Sequence, residues 1–230
     1  MTIENFRTSL TSSGYHLNEI QFGQLDTYCR LLQEWNQKMN LTAITETEEV
    51  YEKHFLDCIL ALNDKVGGSV IDVGSGAGFP GLVWKIVRPE LKVTLLEPTQ
   101  KRCRFLSEVI SQLDLKDIEV ISKRAEDHVR ERRETYDTVT ARAVANMNVL
   151  SELCLPLVKV GGHFIAMKGA AGEEELQSAE KAISLLGGTV QSAEKKELNG
   201  AVRYNITIQK DRKTPDRYPR RYDQIKKKTL

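Results

Sequence analysis

The chain has 230 residues, 40% hydrophobic and 28% charged, with 33 Lys/Arg against 32 Asp/Glu and a formal charge of +1. That is enough to bury a sizeable core, and it describes one globular domain of ordinary size with an appendage. It excludes a helical membrane protein, because no apolar run approaches bilayer length, and the opening MTIENFRTSL lacks the apolar core and cleavage site of a secretory signal.

Residues 1 to about 64 read as helical. Asn18 and Gln21 have capping-box spacing, and Leu25, Tyr28, Cys29, Leu32 and Trp35 then recur on one helical face. Thr45 and Glu48 have the same cap spacing, ahead of a stripe of Val50, His54, Phe55, Cys58 and Leu62. The pattern changes after Gly67-Gly68. Strands are predicted at Val70–Val73, Lys92–Leu96, Ile118–Ile121, Tyr136–Ala141 and His163–Met167. Helices are predicted at Pro80–Val87, Thr99–Leu113, Asn146–Leu155 and Glu173–Leu186. This alternation is that of a parallel sheet with helices on both faces. Thr189–Glu197 and Val202–Gln209 flank Asn199-Gly200, which suits a type I′ hairpin turn, so the sheet should close with an antiparallel pair. The expected organisation is a helical extension (1–64), an α/β core (65–210) and a basic tail (211–230).

The charge is unevenly spread. From Lys210 to Leu230 there are nine Lys/Arg and three Asp, a net of +6, which leaves −5 on the rest of the chain. A basic end on a near-neutral protein points to an acidic partner. The cysteines Cys29, Cys58, Cys103 and Cys154 are widely spaced with no C-x-x-C. Buried free thiols in a reducing cytoplasm are therefore expected, with neither zinc nor disulfides. His16, His128 and His163 share no ligand-like spacing, and no metal site is assigned.

The chemistry concentrates in VIDVGSGAGFPG, residues 70–81. The loop follows a predicted strand and opens a predicted helix, so backbone N–H groups can face a ligand that glycines allow to approach closely. Gly74, Gly76 and Gly78 form G-x-G-x-G. A dinucleotide loop wants G-x-G-x-x-G, and position 79 is Phe; a P-loop would need Gly-Lys-Ser/Thr. The second strand ends at Glu97, where a carboxylate can accept two ribose hydroxyls. That serves NAD and S-adenosylmethionine alike. The antiparallel final hairpin favours a Rossmann-like class I S-adenosylmethionine-dependent methyltransferase, with seven strands and the last inserted antiparallel.

Two common acceptor chemistries find no support. The Asn/Asp-Pro-Pro-Tyr/Phe run of amino-group methyltransferases is replaced by Thr140-Ala141-Arg142-Ala143-Val144. Cys154 is followed, not preceded, by proline and reads as a buried helix residue. A ring nitrogen such as guanine N7 attacks through a free lone pair and needs no general base. The protein then supplies in-line placement and a suitable field.

Asn40-Leu41-Thr42, His54-Phe55-Leu56-Asp57, the VGSGAGFPG loop, Arg124-Ala125-Glu126, Val139-Thr140-Ala141-Arg142-Ala143-Val144 and Pro219-Arg220-Arg221 follow in order. Together they resemble the bacterial 16S rRNA guanine-N7 methyltransferases, the RsmG/GidB family, over nearly the whole chain. The resemblance implies a guanine at nucleotide 527, in the 530 loop of the small subunit, as the methyl acceptor. It implies S-adenosylmethionine contacts from Gly74 and Phe79, from the adenine-side pair Ala125-Glu126, and from Arg142. Gly76 and Glu97 join this cofactor set through the loop and strand-end readings above. The family tail resembles Pro-Arg-x-x-Gly-x-Pro-x-Lys-x-Pro-Leu. Here Asp223, Ile225 and Thr229 replace Gly, Pro and Pro, and Cys58 stands where serine is common.

Lys168 at the end of the fifth strand, with Arg220, Arg221 and Lys227 in the tail, are candidate RNA contacts; Tyr218 and Tyr222 could offer stacking surfaces. Without RNA the tail would be a solvated face. His54 and Asp57, three apart, read as a structural hydrogen-bonding pair. The expected protein is a monomeric cytoplasmic enzyme whose partner is 16S rRNA or the 30S subunit, with no membrane and no DNA. Its rivals are an NAD-dependent oxidoreductase and a non-catalytic ribosome-binding or RNA-binding protein of the same fold.

Overall fold

The computed structural model describes all 230 residues. The N-terminal part is helical: α1 (Ile3–Ser12), α2 (Glu19–Asn36), and a longer helix made of α3 (Thr47–Val50), a π-helical turn (Tyr51–Leu56) and α4 (Asp57–Leu60). The Asn18–Gln21 capping box is present with both of its hydrogen bonds. The one expected at Thr45–Glu48 is not. The helix starts one residue later, with Glu46 as a cap that makes no side-chain bond, and Gln33 Nε2 donates to the Thr45 carbonyl at 2.8 Å, tying that segment to α2.

The α/β part runs β1 (Ser69–Val73), α5 (Gly81–Val87), β2 (Lys92–Leu96), α6 (Gln100–Gln112), β3 (Ile118–Ile121), α7 (Ala125–Arg132), β4 (Tyr136–Arg142), α8 (Met147–Cys154), β5 (Val158–Lys168), α9 (Gly172–Leu185), β6 (Gly188–Leu198), β7 (Ala201–Lys210) and α10 (Tyr222–Lys227). The sheet order is β3-β2-β1-β4-β5-β7-β6. The pairs among β1 to β5 are parallel, and β7 runs antiparallel between β5 and β6. Asn199 and Gly200 both have positive φ, as a type I′ turn requires. The chain order reverses between β1 and β4, which opens a crevice above their C-terminal ends.

Each face of the sheet has its own apolar core. Helices α5 and α6 cover one face, and the N-terminal helices extend the same core through Phe6, Leu25, Tyr28, Tyr51 and Phe55. Two directed bonds fix that docking. Trp84 Nε1 donates to the Cys58 carbonyl at 2.8 Å. Gln21 Nε2 donates to the Ile86 and Val87 carbonyls, satisfying the end of α5.

Helices α8 and α9 and the C-terminal segment cover the other face. The tail is folded back onto this face, with most of its residues exposed and a few buried anchors. Lys210 is fully buried, its ammonium donating to the Leu155 carbonyl and Thr214 Oγ1 beside Glu134. Arg133 reaches the Thr214 and Tyr218 carbonyls, and Tyr218 and Ile225 are buried. Arg220 spans the carboxylate of Glu152 with bonds of 2.8 and 2.6 Å and adds its backbone N–H at 2.9 Å. Glu152 is wholly enclosed, so a cation is needed there.

Replacing Arg220 with Ala would strand a buried carboxylate. The expected loss is about 3 kcal/mol, or roughly 6–12 °C in melting temperature for a chain of this size. Calorimetry of the variant tests this; a shift under about 2 °C would contradict it.

Candidate active site at the strand ends

Gly74 leaves β1 with φ +71°, and its N–H donates to the Leu96 carbonyl at 2.8 Å. A Cβ there would sit 2.7 Å from Val144 Cγ2. Gly78 and Gly81 are required by packing, against Leu82 and Tyr28 and against Leu95 and Asp72 respectively. Gly76 differs: with φ +58°, a Cβ would meet nothing closer than the Gly74 carbonyl at 3.8 Å. Its surroundings are open on the side where a ligand would lie.

Glu97 stands opposite. It is 2% exposed; Oε2 accepts the Gly76 N–H at 3.0 Å and Oε1 the Thr99 N–H at 2.9 Å. The strand-end acid thus holds the glycine loop while keeping further lone pairs for ribose hydroxyls. At the neighbouring strand, the Ile121 carbonyl accepts the Glu97 N–H at 3.1 Å. That brings the end of β3, and the start of α7 with Ala125 and Glu126, alongside. An open glycine, an anchored carboxylate and the backbone after β3 form a cradle that fits S-adenosylmethionine. Asp72 is enclosed beneath the loop. Oδ2 accepts the Gly81 N–H at 2.9 Å, Oδ1 has no partner, and burial raises its pKa to about 7.

Arg142, at the end of β4, joins the loop to the N-terminal helices. It donates to Asp57 Oδ2 at 3.1 Å, to His54 Nδ1 at 2.9 Å and to the Lys53 carbonyl at 3.3 Å. His54 and Asp57 therefore do not bond each other; the π turn and the first residue of α4 present them to one guanidinium. Arg203 of β7 sits 3.5 Å from the other Asp57 oxygen. The Phe79 ring is 5% exposed and stacks on His54 at 4.3 Å and on Tyr28 at 5.4 Å, with the Arg142 guanidinium over it at 4.9 Å. Ala143, next in the chain, has φ +56°, a strained conformation for a residue with a Cβ and one found at functional sites.

An arginine has no acceptor, so His54 Nδ1 must be the unprotonated nitrogen and Nε2–H donates to Thr42 Oγ1 at 3.0 Å. Burial, reinforced by Arg142, lowers the His54 pKa to about 3. It should stay neutral, as one tautomer, from pH 8 to 5 in 15N NMR. The unfolded imidazole has a pKa near 6.5 and the folded one lies below it. This site therefore contributes full stability above about pH 6.5 and loses it progressively as pH falls toward 3. A His54 ring that titrates near pH 6.5 in the folded protein would contradict this geometry.

Beside this cluster is a cavity of about 450 Å³ lined by His54, Asp57, Arg142, Ala143, Arg203 and Glu175, among others. Lys168 lies in its wall. It is 8% exposed, paired with Glu175 at 2.6 Å and donating to the Ala145 carbonyl at 2.7 Å. Of the tail residues, Arg220 is committed to Glu152, whereas Arg221 and Lys227 are exposed.

Asp72, Arg203 and Glu175 were not singled out from the sequence, and Asp57 was read as the partner of His54 and not of two arginines. Only Asp72 carried a local signal, a carboxylate inside the apolar strand Val70–Val73.

Sheet order, glycine loop and strand-end acid define a class I S-adenosylmethionine-dependent methyltransferase fold. The precorrin-6y C5,15-methyltransferase of Geobacter metallireducens superposes with a TM-score of 0.53 and 16% identity, over 73% of this chain and 90% of that one. A 16S rRNA (adenine(1408)-N(1))-methyltransferase of Catenulisporales acidiphilia gives 0.55 and 13%, over 70% and 93%. Residues 21–204 match the GidB family model, rRNA small subunit methyltransferase G. The chain is 50% identical over 231 residues to the ribosomal RNA small subunit methyltransferase G of Staphylococcus carnosus, covering 96% of this chain and 95% of that relative. Its identity to the Bacillus cereus protein of the same name is 48% over 228 residues, with the same coverage. The chain belongs to the GidB family.

Proposed function

We propose that the protein transfers a methyl group from S-adenosylmethionine to N7 of a guanine in 16S rRNA, the guanine at nucleotide 527, within the 30S subunit. The observation that carries this is the membership of nearly the whole chain in the GidB family. It is joined to a cradle at Gly76 and Glu97, and to a cavity of base-accommodating size whose wall residues His54 and Arg142 pack on Phe79 of the same loop. When bound, S-adenosylmethionine supplies an electrophilic methyl on a sulfonium. The chain's own work is placement. Glu97 and the loop backbone fix the nucleoside end, and Arg142, held by Asp57, borders the acceptor cavity. Guanine N7 has a free lone pair, so no proton need be removed before attack. In keeping with this, both nitrogens of His54 are engaged by Thr42 and Arg142. Asp57 between Arg142 and Arg203 offsets cationic charge that would otherwise oppose the sulfonium.

For the RNA we assign Arg221 and Lys227 as phosphate contacts. Arg217, Lys227 and Lys228 share a cleft lined by no carboxylate. Arg220 instead anchors the segment that carries them. The working form is a cytoplasmic monomer. Thermal-shift titration tests the cofactor: S-adenosylhomocysteine should raise the melting temperature and NAD should not. Label from methyl-labelled S-adenosylmethionine should pass to unmodified 30S subunits. Stabilisation by NAD alone would favour the oxidoreductase, and cofactor binding without transfer a non-catalytic binder.

A further inference from the structure

Guanine differs from the other bases in carrying two adjacent donors, N1–H and N2–H, on the edge across the ring from N7. A base that turns N7 toward a methyl donor turns those donors to the far side of its cavity, where selectivity calls for an acceptor within reach of both. Two carboxylates line the cavity at the ends of β4 and β5, Asp57 and Glu175. Asp57 is already occupied on both oxygens, by Arg142 at 3.1 Å and Arg203 at 3.5 Å. Glu175 is not. Its Oε2 accepts the Met147 N–H at 2.9 Å and the Lys168 ammonium at 2.6 Å. Its Oε1 accepts no hydrogen bond, and the side chain is 25% exposed. These two bonds hold the carboxylate in place from the first turn of α9 while leaving one oxygen for a ligand.

We propose that Glu175 is the guanine-specificity determinant, its free Oε1 accepting the base's N1–H and N2–H together while N7 faces the cofactor cradle. This rests on the guanine-N7 reading above. Adenine would bring the N1 lone pair against the carboxylate and has no N2 amino group, so it is rejected by repulsion as well as by a missing bond. The same contact assists the reaction. As the N7–carbon bond forms and the sulfur–carbon bond breaks, no proton leaves the base and the purine becomes cationic. Its N1–H grows more acidic, so a bond to a fixed carboxylate is stronger in the transition state than in the ground state.

The test uses 30S subunits reconstituted around 16S rRNA with guanine or inosine at the target position. Inosine keeps N7 and N1–H and lacks only the N2 amino group. Two quantities are read: filter-binding affinity in the presence of S-adenosylhomocysteine, and the single-turnover methyl-transfer rate. Wild type should favour guanine by roughly 10–100-fold in rate, the worth of one hydrogen bond to a charged group. Binding should show part of the same preference. In Glu175→Ala the guanine-to-inosine ratio should fall to near one, with melting temperature and S-adenosylhomocysteine affinity confirming the fold; Glu175→Gln should fall between.

An unchanged ratio in Glu175→Ala overturns the assignment. So does a wild type that does not distinguish the two bases, a result that needs no variant to fold. Failure of wild type to methylate the guanine subunits would instead overturn the guanine-N7 reading itself.

Discussion

Gly74→Asp should lose S-adenosylhomocysteine binding by at least 100-fold and with it all detectable turnover. Three effects act together. The position has φ +71°, where a residue with a Cβ costs about 1–2 kcal/mol. The new Cβ would lie 2.7 Å from Val144, a branched side chain on the connection that follows Ala143, so the strain is passed to the segment bordering the acceptor cavity. The added carboxylate also enters the loop that Glu97 holds, next to an acid already 2% exposed, where like charges repel strongly. Isothermal titration measures the affinity, and Gly74→Ala isolates the backbone effect from the charge. Near-normal affinity in Gly74→Asp would mean that the loop does not hold the cofactor.

Glu97→Gln should weaken cofactor binding by a comparable factor for a different reason. The wild-type carboxylate accepts Gly76 N–H and Thr99 N–H and still has capacity for both ribose hydroxyls. The amide keeps one acceptor and turns an NH2 group toward a backbone N–H. Each hydrogen bond to a charged group is worth about 1.5–3 kcal/mol, so losing one ribose bond and the charge behind the other predicts a fall of roughly 10–10³ in affinity, while the lost backbone bond is a modest cost in stability. An unchanged dissociation constant for S-adenosylhomocysteine would place the ribose elsewhere.

The sheet was legible because its signals are local. The apolar runs of β1 to β4 are bounded by glycine, proline or charge, and Asn199-Gly200 specifies its hairpin within two residues. The Gly74 loop and Glu97 were legible for the same reason, each being defined by its own strand end. What escaped depends on distant partners. Arg142 and Asp57 meet across 85 positions of sequence, and Arg203 joins them from the far end of the chain. Arg220 read as an RNA contact because the tail's charges are visible in sequence while the buried Glu152 that recruits it is not. Glu152 lies 68 residues upstream, in an otherwise uncharged helix. Helix α7 escaped too: its eight residues, AEDHVRER, bury only Ala125, His128 and Val129, leaving little apolar periodicity to read. The π turn at 51–56 has the residues of an ordinary helix.

The most direct measurement is to incubate the protein with S-adenosylmethionine and unmodified 30S subunits, in parallel with protein-free 16S rRNA, and to map N7-methylguanine by reduction and aniline cleavage. A single new strand break at the 530-loop guanine is the expected result, establishing cofactor, chemistry and target together. No break in either RNA, from protein shown to bind S-adenosylhomocysteine, would contradict guanine-N7 methylation and leave the GidB fold of this chain serving another acceptor or none.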